Sequence, residues 1–188
     1  DRRLTMNVIP RLLREIKDAP ELTQRGLALK LNISLGSANK YIRDMEEQHY
    51  LMVQEDGYRL TQEGLSFLEQ YRVDNAVIIA AGFGSRFVPL TYETPKGLLE
   101  VFGERMIERQ IRQLHEAGIY DITIVVGYLK EKFDYLIDKY DIRLLYNPEY
   151  SSKNTLATLW HARHLLGNTY VLSSDNWIRE NIFHTYEP

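Results

Sequence analysis

The chain of 188 residues contains no cysteine, so disulfides, thiolate zinc sites and a cysteine nucleophile are excluded. That absence suits a reducing compartment, and a cytoplasmic location is expected. No apolar run approaches the ~20 residues that a membrane-crossing helix needs. No cationic start followed by an apolar stretch marks a secretory leader. Glycine and proline are sparse, at 11 and 6 positions, which excludes collagen-like and low-complexity architectures. What is present is 44% hydrophobic and 26% charged residues, a balance that can bury a core. At ~100–200 residues per domain, the length allows one ordinary domain or two small ones. The chain begins with Asp1 rather than Met and stops at Pro188, and it is expected to be part of a longer protein.

The hydrophobic period changes near Arg72. Before it, apolar residues recur at helical spacing; from Asn75 onward, short β-branched runs alternate with amphipathic segments. Two domains are expected, 1–72 and 73–188, joined by a stretch without Gly, Pro or Ser. No internal repeat is visible. The first domain carries 11 basic and 11 acidic side chains; the second carries 12 and 15.

In the first domain, Val8, Leu12, Leu13 and Ile16 predict a helix over about Thr5–Ala19, with Pro20 beyond its end. Thr23 and Ser34 are positioned to cap two further helices, Gln24–Leu31 and a third reaching about His49 that buries Ala38, Ile42 and Met45. Strands are predicted at Leu51–Gln54 and Tyr58–Leu60, with Asp56-Gly57 as a hairpin turn. Thr61 then caps a closing helix whose apolar surface is Leu65, Phe67 and Leu68. This order resembles a winged helix-turn-helix. The resemblance implies that the third helix enters the major groove, presenting Ser37, Asn39, Lys40 and Arg43, with Arg59 near the wing. The zero net charge, and Asp44, Glu46 and Glu47 on the same helix, oppose a polyanion, so a dimerisation or docking role stays open beside DNA binding.

In the second domain, Asn75–Ala81 reads as a strand buried on both faces, breaking into Gly82-Phe83-Gly84-Ser85-Arg86. A helix near Arg105–Ala117 buries Ile107, Ile111 and Leu114. Strand Asp121–Val126 follows, then a helix over Lys130–Tyr140 burying Phe133, Leu136 and Ile137. Strand Ile142–Tyr146, helix Thr155–Leu166 and strand Thr169–Ser173 complete the series. Strands separated by helices imply crossovers and a Rossmann-like parallel sheet, so the fold class is α/β, with ligands at the carboxyl ends of the strands.

The glycine turn is neither a dinucleotide fingerprint nor a Walker loop. Ala80-Ala81-Gly82-x-Gly84-x-Arg86, then Pro89 and Thr91, then Pro95-Lys96-x-Leu98, resembles the signature of the nucleotidyltransferase superfamily. Residues 127–136, Asn147-Pro148-Glu149-Tyr150, Asn154, Thr158-Leu159 and Tyr170–Asn176 are similar to the bacterial CTP:phosphocholine cytidylyltransferases. The resemblance implies that Ala80, Ala81, Gly82, Gly84, Ser85, Arg86 and Lys96 bind the nucleotide. Glycine backbone amides would approach the triphosphate, the Arg86 fork would meet the β and γ phosphates, and Lys96 the α phosphate. Arg86, Lys96 and Asp175 are the implied catalytic residues, and Asp175 the implied Mg²⁺ ligand. Tyr128, Asn154, Thr158 and Trp177 are candidates for the substrate pocket; Tyr150 and Trp160 are further aromatic faces for a quaternary ammonium. CTP and a phosphocholine-like molecule are the expected partners, with DNA, a homodimer and a following choline-kinase-like domain as additional ones and no membrane.

Two departures from the pattern stand out. Ser173 stands where the family often has an acidic residue. The chain also stops soon after Asp175, so the second metal carboxylate and much of the acceptor pocket are expected beyond Pro188, and the nucleotidyltransferase domain is expected to be truncated at its C-terminus. A sugar-1-phosphate nucleotidyltransferase, and a transcription regulator sensing a nucleotide or choline metabolite, remain as alternatives. None of His49, His115, His161, His164 and His184 has spacing that suggests a metal site or a triad.

Overall fold

A computed structural model describes residues 2–82, 88–150 and 155–188. The chain divides into two compact units, one of residues 1–72 with Tyr186–Pro188 and the other of residues 73–185.

The first unit contains helices α1 (Arg2–Asp18), α2 (Gln24–Leu31) and α3 (Leu35–Glu47), strands β1 (Leu51–Gln54) and β2 (Gly57–Leu60), and helix α4 (Gln62–Glu69). Local chemistry fixes these boundaries. The Thr23, Ser34 and Thr61 hydroxyls accept from the backbone amides of Gly26, Ser37 and Gly64, the caps that begin α2, α3 and α4. Strands β1 and β2 pair antiparallel, with Leu51 opposite Leu60. Leu12, Leu13, Ile16, Leu27, Leu31, Ile42, Met45, Leu51, Tyr58 and Leu68 form one core. Val8 is only half-buried.

The last three residues belong to this unit and not to the second. Tyr186 is buried in the same core, and its hydroxyl donates to Glu69 at 2.7 Å. The Lys17 ammonium and the Arg72 guanidinium lie 5.5 and 5.1 Å from its ring centroid. Arg14 donates to the Tyr186 carbonyl and to Glu187, and the Glu187 amide donates to the Tyr71 carbonyl. Hydrogen bonds from Arg72 and Tyr186 hold the Glu69 carboxyl at about 2.

The second unit is a parallel sheet of β3 (Asn75–Ala80), β6 (Ile122–Val126), β7 (Arg143–Tyr146) and β8 (Thr169–Ser173), in the order β7-β6-β3-β8. A short antiparallel pair, β4 (Glu100–Val101) and β5 (Glu104–Arg105), lies outside it. Alternate residues of the central strands serve two faces, as the strand period of two requires. Ala76, Ile78, Ala80, Ile122, Ile124 and Val126 pack with Ile107, Ile111 and Leu114 of α5 (Met106–Glu116) and with Phe133 and Leu136. Val77 and Val125 pack with Ala162, next to α7 (Thr155–His161).

Two expected helices are interrupted. Lys130–Phe133 is a 3-10 helix followed by α6 (Tyr135–Tyr140). Phe133 and Leu136 take the buried face and leave Ile137 43% exposed. After α7, Arg163–Leu165 forms a separate 3-10 turn.

Among the described residues, no helix is long and apolar enough to cross a membrane.

Candidate active site

From β3 the chain crosses to β6 and β7 on one side and then returns to place β8 on the other. The order therefore reverses beside β3. Such a reversal, at the carboxyl ends of the strands, is where α/β sheets commonly take their ligands. Ala81-Gly82 follows β3, and Ser174-Asp175 follows β8. The Ser174 amide donates to the Ile79 carbonyl at 3.0 Å, so the two exits stay side by side past the end of the β8 ladder.

Lys96 reaches this point from another direction. It opens a short 3-10 turn, Lys96–Leu98, directly after Pro95. The turn lies against the β8 loop so closely that a Cβ on Gly97 would stand 2.7 Å from the Ser174 Cβ, closer than real Cβ contacts come. This approach brings the Lys96 ammonium into a hydrogen-bonded ion pair with Asp175. The Ser173 hydroxyl donates to the other carboxylate oxygen. Burial pushes the Asp175 carboxyl up, but the bonds from Lys96 and Ser173 and the Lys96 charge outweigh burial and hold it below the ordinary carboxylate range. The Asp175 side chain is 27% exposed, so the pair is open to solvent rather than sealed in the core.

Around the β3 exit, Ala80 and Ala81 are buried, while a Cβ at Gly82 would meet no atom of the described residues within 4 Å. The Tyr128 amide donates to the Ala81 carbonyl, joining the β6 exit to the β3 exit. The Tyr128 hydroxyl donates to the Tyr92 carbonyl at 2.8 Å. Tyr150 covers Gly127 so tightly that a Cβ there would lie 2.5 Å from the tyrosine Cβ.

Thr158 is buried, and its hydroxyl accepts from the Asn147 amide at 3.0 Å. Glu149, next to Asn147, pairs with His161 at 3.2 Å. Trp177 carries the Arg109 guanidinium 4.5 Å from its centroid and meets Phe102 edge-on. Trp160 is exposed under Arg163. The structure thus joins Lys96 to Asp175 and Tyr128 to Ala81, while Thr158 is bonded to Asn147 and Trp177 lies against Arg109 and Phe102. Gly84, Ser85, Arg86 and Asn154 lie outside the described residues.

The donor set suits a hard cation of the Mg²⁺ kind in one way only. Asp175 is a carboxylate held in its ionised form, and such ions commonly take one or two carboxylates and complete their shell with water and phosphates. Among the described residues, no group of three or more His, Cys, Asp or Glu forms a self-sufficient metal cage.

Gly97 is a site residue that motif reading passed over as the variable position between Lys96 and Leu98. A glycine directly after the motif lysine was the available signal.

On the α3 surface, Lys40 and Arg43 are exposed, but Ser37 and Asn39 are half-buried, which corrects the expected exposed row of four. The Ser37 side chain is tied to the Ser34 hydroxyl at 2.9 Å. Arg59 is tied to Asp56 within the hairpin.

The nucleotidyl transferase family model matches residues 75–187, well over half of the chain. The chain belongs to this family. A winged helix-turn-helix DNA-binding model matches residues 9–52. The choline-phosphate cytidylyltransferase of Streptococcus pneumoniae is 47% identical over 108 residues, covering 57% of this chain and 47% of that protein. The 2-aminoethylphosphonate cytidylyltransferase of Lancefieldella rimae is 43% identical over 117 residues, covering 61% of this chain and 47% of its own length. The solved CTP:phosphocholine cytidylyltransferase of Streptococcus pneumoniae superposes with a TM-score of 0.59 at 47% identity, covering 61% of this chain and 50% of that one. The chain spans about half the length of the curated relatives it matches. Family enzymes generally use a divalent metal.

Proposed function

We propose that this protein transfers CMP from CTP to phosphocholine or a similar phospho-alcohol and releases pyrophosphate. The Lys96–Asp175 pair at the reversal of strand order carries the reading. An acceptor phosphate oxygen bonds to the α phosphorus as the bond to the bridging α–β oxygen breaks, and pyrophosphate departs with that oxygen. Lys96 meets charge building on the α phosphate, and Arg86 meets the departing β and γ phosphates. With no described atom within 4 Å of a Cβ at Gly82, the triphosphate would approach main-chain amides there. Asp175 would hold Mg²⁺, which when bound would supply charge neutralisation to the phosphates. In the structure Lys96 and Asp175 neutralise each other; in the proposed reaction the lysine would turn to phosphate. No covalent enzyme intermediate is needed, because positioning and charge stabilisation supply the acceleration.

The names of the relatives support CTP as donor and leave two acceptor chemistries to compare, a choline phosphate and an aminoethylphosphonate. Tyr128, Asn154, Thr158 and Trp177 are the proposed contributors to acceptor binding, Thr158 being bonded to the Asn147 side chain. Full-length protein given CTP, Mg²⁺ and phosphocholine should release pyrophosphate in a coupled phosphate assay. Release with a sugar 1-phosphate and none with phosphocholine or 2-aminoethylphosphonate would replace the proposal by the sugar-nucleotide alternative.

The winged unit supports a second activity through the match to DNA-binding winged helices. Lys40 and Arg43 are its phosphate-reaching side chains, while Ser37 and Asn39 are poorer base readers. A gel-shift titration against the DNA upstream of the protein's own gene tests it. Affinity no greater than for random DNA would remove the regulatory role and leave docking or homodimer formation. The proposal includes a cytoplasmic location, with which a chain lacking cysteine is compatible.

A further inference from the structure

Gln110 is completely buried on α5, on the same arc as Ile107, Ile111 and Leu114. Its side-chain nitrogen donates to the Ser173 carbonyl at 2.9 Å and to the Asn176 carbonyl at 2.8 Å. Both partners are acceptors, so the amide orientation is fixed by chemistry: the NH₂ must face the loop. Its own carbonyl oxygen is buried with no hydrogen-bond partner. A buried polar atom without a partner is destabilising, and an apolar side chain of similar size would remove that defect. A glutamine at this position is therefore poorly explained by packing and well explained by the two bonds it donates.

Those bonds bracket Asp175. One anchors the chain two residues before it and the other one residue after it. The next carbonyls of the loop are tied to the same helix, with Gln113 and Arg109 donating to Ile178 and Arg109 also to Arg179. Because α5 is seated on the sheet through its apolar arc, the loop inherits the rigidity of the core.

We infer that Gln110 is a positioning residue that fixes the Asp175 carboxylate where cation and nucleotide meet, by clamping the main chain on both sides of it. This inference rests on the proposed nucleotidyl transfer for its effect on turnover, but not for its effect on the loop. A displacement of about 1 Å at such a carboxylate lowers turnover by up to ~100-fold without altering the chemistry.

The test uses full-length Gln110→Met, which keeps the volume and removes both donors. Hydrogen exchange at the Ser174 and Asn176 amides should speed by at least ~10-fold, with β6 amides unchanged and the melting temperature within a few degrees. Mn²⁺ affinity in the presence of CTP, read by EPR, should fall at least ~5-fold, and kcat about 10–100-fold. If Gln110→Met does not fold, Gln110→Asn retains an amide but falls one methylene short, and the same pattern should appear in smaller measure. Unchanged loop exchange, or faster exchange with unaltered Mn²⁺ affinity and kcat, overturns the inference. Faster exchange spread evenly over the sheet overturns it too, since that marks a purely structural residue. If wild-type protein turns over no phosphocholine, the functional proposal fails by itself, and loop exchange with Mn²⁺ affinity still decides the role of Gln110.

Discussion

Glu108 and Asp175 are both ionised carboxylates of the second unit, and both are held below the ordinary range, but their surroundings differ. Burial alone would raise Glu108; bonds from Lys139, Tyr135 and Tyr140 overcome it and hold the carboxyl at about 2. In return Tyr135 is pushed up to about 12, by burial and by its bond to Glu108. Glu108 thus joins α5 to α6 through donors on one neighbouring helix. Asp175 is more open and meets one ammonium and one hydroxyl at the carboxyl end of β8. A depressed carboxyl therefore marks a structural knot in one place and, in the proposed function, a reactive group in the other. Position relative to the strand reversal, and not the direction of the shift, separates the two.

The sharpest break of that comparison is Lys96→Ala in the full-length protein. Pyrophosphate release should fall by about 10³-fold, roughly 4 kcal/mol of transition-state stabilisation, with the fold unchanged by circular dichroism. Gly97→Ala should follow with a loss of ~10–100-fold, because the new methyl must displace Ser174 and with it the loop carrying Asp175; a rate within twofold of wild type would show that the loop accommodates it.

Glu108→Gln should leave Mg²⁺ dependence and turnover per folded molecule intact and cost on the order of 2–3 kcal/mol in urea unfolding at pH 7. The sign follows from a folded-state carboxyl lying below its unfolded value. Its stabilisation is fully present above about pH 4.5 and is lost as the pH falls toward 2. Urea midpoints measured across that window should converge for wild type and Glu108→Gln. The smallest effect is expected in the first unit, from Tyr186→Phe. It removes the hydroxyl bonded to Glu69 and Arg72 and should cost about 1 kcal/mol, since Glu69 is half exposed and its ion pair is screened by solvent.

Features set by a few neighbouring residues were legible in the sequence. Thr23, Ser34 and Thr61 cap the helices that their spacing predicts, because a cap needs only an amide two or three positions ahead. The buried central strand was equally legible from its unbroken apolar run. The β4–β5 hairpin was not. Its turn places Phe102 at φ 52, a conformation that sequence rules reserve for Gly, Asn or Asp. The break between Phe133 and α6 was hidden because the apolar spacing continues through it. Lys96 and Asp175 were named through a family resemblance, but their pairing depends on how a 3-10 turn docks, which no local pattern encodes. Gln110 offered a signal that went unread. A glutamine three residues after Ile107 and four before Leu114 sits on an apolar arc, where a polar side chain needs a reason.

The burial of Tyr186 has a consequence for the order of events during synthesis. The ribosome delivers the helices and hairpin of the winged unit first, yet that unit's last core side chain emerges only after the whole parallel sheet has been translated. Until Tyr186 emerges, Glu69, Arg72 and Lys17 lack the side chain they meet in the folded unit.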